Sequence, residues 1–157
     1  MDSKARFLTQ AALIAAIYVV LLLIFQPISF REGQIRISEI LTVLPYFTPA
    51  AIPGLFIGCL IGNYLGGAIL VDIIFGSLAS LVAAVFSYLL RKNKYLVPIP
   101  SIIINAVVVG LILKYGYGVP TNLYLIMLFV GFGQFVSSFV LGLALIRTFE
   151  KHKIQLK

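Results

Sequence analysis

Long apolar runs separated by short polar breaks fill this chain. Residues 7–25, 68–90, 95–113 and 123–146 each come close to or exceed the ~20 residues that carry a helix across a ~30 Å hydrocarbon core. The first run follows Lys4 and Arg6 as a secretory leader would, but it is span-length and ends without an A-x-A site, so we expect a retained helix. Residues 37–67 are apolar too, yet they are cut by Pro45, Pro49, Pro53 and several glycines. They read either as one bent span or as two short helices.

Charge separates these alternatives. Cytoplasmic loops collect Lys and Arg, and the basic residues here cluster at Lys4/Arg6, at Arg91, Lys92 and Lys94, and in a tail with Arg147, Lys151, Lys153 and Lys157. The three clusters share one side only if even numbers of crossings separate them. Two short helices, about 37–48 and 51–66, satisfy that condition. The pattern therefore predicts an all-α integral membrane protein of six transmembrane helices with the second and third short, a single membrane domain over 1–157, and both termini cytoplasmic. Nine basic residues then lie inside, and Arg31, Arg36 and Lys114 lie outside.

Composition agrees with a lipid environment and narrows the chemistry. Of 157 residues 61% are apolar and only 11% charged, with a mean hydropathy of +1.10, against about one-quarter charged residues in soluble domains. The lone Cys59 excludes an intramolecular disulfide and reads as a packing residue. There is no phosphate-binding G-x-x-x-x-G-K-[ST] loop, and the one histidine, His152, sits in the basic tail. Metal motifs and a Ser-His triad are thus absent from the sequence. We expect no enzyme, no cofactor, no metal and no nucleic-acid partner. Without a recognisable internal repeat, a self-contained two-half transporter is disfavoured. A compact bundle of this kind needs a partner to supply energy.

A few polar residues stand out against the oil. A twelve-residue helix reaches only roughly 18 Å and needs cover from its neighbours, so the second and third helices mark a candidate site with residues 27–36 as a lid, the alternative being that Pro45, Pro49 and Pro53 merely make a tight turn. Glu39 opens the second helix, and Ser38, Thr42 and Tyr46 recur around it at four-residue spacing, a polar stripe if the helix is α. Glu39 reads either as a first-turn carboxylate favoured by the macrodipole or as a ligand acceptor. Arg36 could pair with it, stack on a flat ligand, or snorkel to the interface. Asp72, inside AILVDIIFG, is a functional candidate by cost alone, with a structural bond to a helix end as its alternative. Asn105 and Gln134 are amides in apolar helices, able to donate to a carbonyl and accept from an amine, or simply to join two helices. Asn63 reads as a weaker candidate at a turn, and Tyr46, Tyr64, Tyr115 and Tyr117 as stacking or belt residues. In the first helix Ala11 and Ala15, and Ala12 and Ala16, form small-xxx-small pairs that suit close helix approach, inside the bundle or against a partner.

The blocks QIRISEILTVLPYF, AIPGLFIGCLIGN and VDIIFGSLASLVAA, with IINAVVVG and GFGQF further on, resemble the queuosine-precursor (QueT) family of membrane proteins. The resemblance covers nearly the whole chain. It implies an S-component of an energy-coupling factor (ECF) transporter in the cell membrane, capturing a 7-deazaguanine base or nucleoside. It also implies a transmembrane coupling partner with two ATPases, docked on the alanine face of the first helix at Ala11, Ala12, Ala15 and Ala16. The chemistry of a guanine-like edge suits the acidic candidates: two adjacent donors can share one carboxylate. An S-component for another small vitamin-like or purine ligand, a stand-alone carrier using Asp72, and a structural membrane protein stay open as alternatives.

Overall fold

The computed structural model describes residues 3–26 and 36–153. Its elements follow the apolar runs: α1 (Ser3–Ile24), α2 (Ile37–Tyr46), α3 (Ala51–Leu65), α4 (Asp72–Leu89), α5 (Ile99–Gly116) and α6 (Leu123–Lys151). Among the described residues there is no strand. Four helices, α1, α4, α5 and α6, are long and apolar enough to cross a membrane, and α2 and α3 are shorter apolar helices. The proline-cut stretch is therefore two helices, with Pro49 in the turn between them. The expected lid, residues 27–36, lies outside the described residues except for Arg36.

Successive helices alternate in direction. At one end Gln26 Nε2 donates to Gly66 O (3.3 Å), tying the end of α1 to the end of α3, and Tyr117, just past α5, reaches Asp72 at the start of α4. At the other end Thr48 donates to Gln10, and Lys94 and Tyr46 both donate to Glu150 on α6. Lys4/Arg6, Arg91/Lys92/Lys94 and Arg147/Lys151/Lys153 all fall at this second end, the grouping that the charge pattern required. The hydrogen bond to Glu150 holds the Lys94 ammonium above its usual range, so it stays charged there.

The closest packing joins α1 to α3. Gly54, Gly58 and Gly62 recur every four residues and so share one face. A Cβ on Gly54 would lie 2.8 Å from Ala11 O, one on Gly58 would lie 2.8 Å from Tyr18 Cβ and 3.1 Å from Ala15 Cα, and one on Gly62 would lie 3.2 Å from a Leu22 methyl. This is the close backbone approach that small residues allow in lipid. Ala11 and Ala15 are accordingly buried, whereas Ala12 and Ala16 face outward. The structure thus corrects half of the docking assignment: Ala11 and Ala15 pack inside the bundle. Gly58→Ala should force α1 and α3 apart, at about 1–3 kcal/mol for an overpacked contact. It should lower the melting temperature in detergent, and an unchanged melting curve would refute the close contact.

The second helix runs through the middle. It is wound as a 3-10 helix throughout, although such runs seldom exceed 3–4 residues. Pro45 lies within it and bars a regular α-turn to Leu41, and the helix starts and ends on i to i−3 bonds, Glu39 N to Arg36 O (3.0 Å) and Phe47 N to Leu44 O (2.9 Å). Its Leu41 and Leu44 join Ile14, Tyr18, Leu55 and Ala84 in one apolar cluster. Its Val43 packs with Val97, Leu143 and Ile146 in another. Covered on all sides, α2 needs no span length of its own.

Candidate functional site

Every helix sends polar side chains into the space around α2, and they gather in two tiers. The deeper tier centres on Glu39, which is only 1% exposed. Its Oε1 accepts from the Tyr18 hydroxyl of α1 at 2.5 Å, and its Oε2 accepts from Ser101 Oγ (3.4 Å) and Asn105 Nδ2 (3.3 Å) of α5. Ser101 also lies 3.3 Å from Gln134 Oε1 of α6. One hydroxyl hydrogen cannot serve two acceptors. Turning the Gln134 amide would let it donate to Ser101 while Ser101 donates to Glu39. Beside this group, Thr42 Oγ1 lies 2.6 Å from both Glu39 O and Ser138 Oγ.

The tier nearer the end at which α2 begins centres on Asp72. Its Oδ2 accepts from the Tyr117 hydroxyl (3.1 Å) and lies 3.7 Å from Arg36 Nη2. Asn63 Nδ2 donates to Asp72 O (3.4 Å) and lies 3.5 Å from Cys59 Sγ. Among the described residues Asp72 Oδ1 has no hydrogen-bond partner, and it sits where Gly76 leaves room: a Cβ there would come within 2.7 Å of it. The Arg36 and Asp72 side chains are nearly sealed from solvent. Two carboxylates and one guanidinium are thus enclosed within an apolar bundle, where each charge is costly unless hydrogen-bonded or paired.

Irregular backbone borders both tiers. Turns of π-helix occupy Asp72–Gly76 in α4, Ile112–Gly116 in α5 and Phe135–Leu141 in α6. The first carries Asp72, the second delivers Tyr117, and the third carries Ser138. Such π-turns recur at functional sites because they turn a side chain out of helical register.

The structure brings Glu39, Asn105 and Gln134 into one tier and Arg36, Asp72 and Asn63 into the other. Arg36 meets Asp72 across the bundle instead of serving as an interfacial cation. Tyr46 joins neither tier, a correction to its grouping with the site: its hydroxyl donates to Glu150 at the opposite end (3.0 Å). The reason is winding. At three residues per turn, positions 38, 42 and 46 point about 120° apart, and the face that continues from Glu39 is Thr42 and Pro45. Tyr64 and Tyr115 are exposed and join neither tier, and Tyr117, also exposed, donates its hydroxyl to Asp72. Tyr18 and Ser101 belong to the Glu39 tier without being among the residues singled out from the sequence. Tyr18 was detectable as the one polar side chain between Gln10 and Gln26, since a buried phenol needs a partner. Ser101 carried no comparable signal.

Among known proteins, the family model described as QueT transporter matches residues 8–151. The chain is also similar to the queuosine precursor transporter QueT of Lactococcus lactis subsp. cremoris (strain MG1363), 37% identical over 82 residues. That match covers 51% of this chain and spans about half the length of the relative, 48%. No solved structure matches. With four helices long and apolar enough to cross a bilayer and a family match over most of its length, the chain is a multi-pass membrane protein that belongs to the QueT transporter family.

Proposed function

We propose that the chain is the substrate-binding S-component of an ECF-type importer, capturing a queuosine precursor as a 7-deazaguanine base or nucleoside. The observation that carries this reading is Glu39: a carboxylate enclosed among six helices with amide side chains beside it. An ionised carboxylate accepts only, and charge-assisted bonds to it are short and strong. The ring N–H and exocyclic amine of a deazaguanine present two adjacent donors to it. Asn105 and Gln134 stand where an amide can donate to the base carbonyl, and the Asp72, Arg36, Asn63 and Tyr117 tier offers polar contacts to the remainder of the ligand. The substrate stays chemically unchanged.

Energy would come from a transmembrane coupling protein and two ATPases, because this chain has no phosphate loop of its own. The exposed pair Ala12 and Ala16 offers the partner a close helix contact. The shared basic end supports six crossings in the cytoplasmic membrane, with both described ends of the chain on the cytoplasmic side.

Reconstitution tests the assignment. The chain alone in liposomes should bind 7-deazaguanine without accumulating it, and concentrative uptake should begin when the coupling protein and ATPases are added. Accumulation by the chain alone would instead make it a stand-alone carrier. Absence of any stabilisation by purine, deazapurine or vitamin-like compounds would leave a structural membrane protein.

A further inference from the structure

We propose that Tyr18 is the positioning residue of Glu39, fixing one carboxylate oxygen so that the other is the one a ligand reads. This rests on the reading of Glu39 as the ligand's acceptor. The three bonds to that carboxylate are unequal. The Tyr18 bond is 2.5 Å, within the range of a charge-assisted O–H···O⁻ contact, whereas Ser101 and Asn105 hold Oε2 at 3.4 and 3.3 Å, beyond the usual 2.5–3.2 Å. A ligand donor displaces the long bonds most easily. Oε1 stays with Tyr18.

The backbone makes that hold firm. Tyr18 is fully buried, and its Cβ lies against Gly58 so closely that no larger residue fits there. One turn on, Leu22 covers Gly62 in the same way. The Gly58 contact fixes the Tyr18 Cβ against α3, and burial confines the ring that it carries. On the other side of Glu39, α5 supplies both weak donors, so the carboxylate is anchored to α1 and open toward α5. Asn105 can then pass from Glu39 to a ligand carbonyl at little cost, while Tyr18 preserves the orientation of the carboxylate.

Two measurements test this on the whole chain. In protein carrying ¹³C-labelled glutamate, the carboxylate band assigned to Glu39 by its loss in Glu39→Gln should shift in Tyr18→Phe without any ligand; an unmoved band would overturn the proposal. Calorimetry with 7-deazaguanine should then show Tyr18→Phe weakening binding about tenfold, the loss expected for one charge-assisted bond. Because Tyr18 acts through Glu39, the same change in a Glu39→Gln background should cost no more than about twofold. A purely structural tyrosine would cost the same in both backgrounds, and that result, or wild-type affinity in Tyr18→Phe, counts against positioning. If the unsubstituted chain does not bind 7-deazaguanine, the substrate assignment fails. The infrared shift, together with a melting-temperature cycle over the same four proteins, then decides whether Tyr18 holds Glu39.

Discussion

Glu39→Gln should weaken 7-deazaguanine binding by about ten- to several-hundred-fold, the cost of a buried donor left unpaired plus the lost charge, about 1–3 kcal/mol or more. The substitution keeps the size of the side chain but turns one acceptor oxygen into an amine. That amine must face Tyr18 on one side or the Ser101, Asn105 and ligand donors on the other. An analogue lacking the exocyclic amine should suffer much less, because it brings one donor instead of two to the open side of the carboxylate. Asp72→Asn should behave differently. It removes the charge facing Arg36 and leaves the Tyr117 acceptor largely in place, so both ligands should weaken together with their preference unchanged. Calorimetry of the two ligands against the two variants reads the outcome directly. If Asp72→Asn abolishes the preference and Glu39→Gln keeps it, the assignment of the reading carboxylate is reversed.

Transport by the assembled system should fall close to background in an Ala12→Leu, Ala16→Leu double variant, while ligand affinity stays within about twofold of the starting protein. Both alanines lie on the outward face of α1, so leucine meets no neighbour within the bundle but keeps another helix at a distance. The matching Ala11→Leu, Ala15→Leu variant should lose stability and binding together, because those positions meet Gly54 and Gly58. Measured side by side, binding and uptake distinguish a docking surface from internal packing. Equal loss of binding and uptake in the outward variant would remove Ala12 and Ala16 from the docking face.

The sequence showed that polar residues must be buried, but not where their partners lie. Glu39, Asp72, Asn105 and Gln134 were conspicuous because each interrupts an apolar run in which an unpartnered polar group is expensive. Their grouping into two tiers depended on contacts between distant helices, such as Arg36 with Asp72, that local spacing could not reveal. Arg36 and Glu39 looked like neighbours one turn apart, yet the ion pair forms with Asp72. The two alanine stripes of α1 are chemically identical, so only the partner could choose between them. That choice was partly written in the four-residue glycine spacing of GLFIGCLIG. Tyr46 leaves the Ser38–Thr42 stripe because the segment winds at three residues per turn, a tighter winding to which Pro45 is the local clue.

That winding also sets a length. At about 2.0 Å per residue the ten residues of α2 reach about 20 Å, where an α-helix of the same size would reach about 15 Å. The longer rise lets one short segment tie Glu39 in the interior to Tyr46 at the basic end, where Tyr46 donates to Glu150 and Lys94 donates to the same carboxylate. Relaxation to the shorter α-form would have to detach one of those ends, and Pro45 obstructs it. Segment α2 is therefore a ruler of fixed length, which sets the depth of the Glu39 carboxylate from the basic end of the bundle.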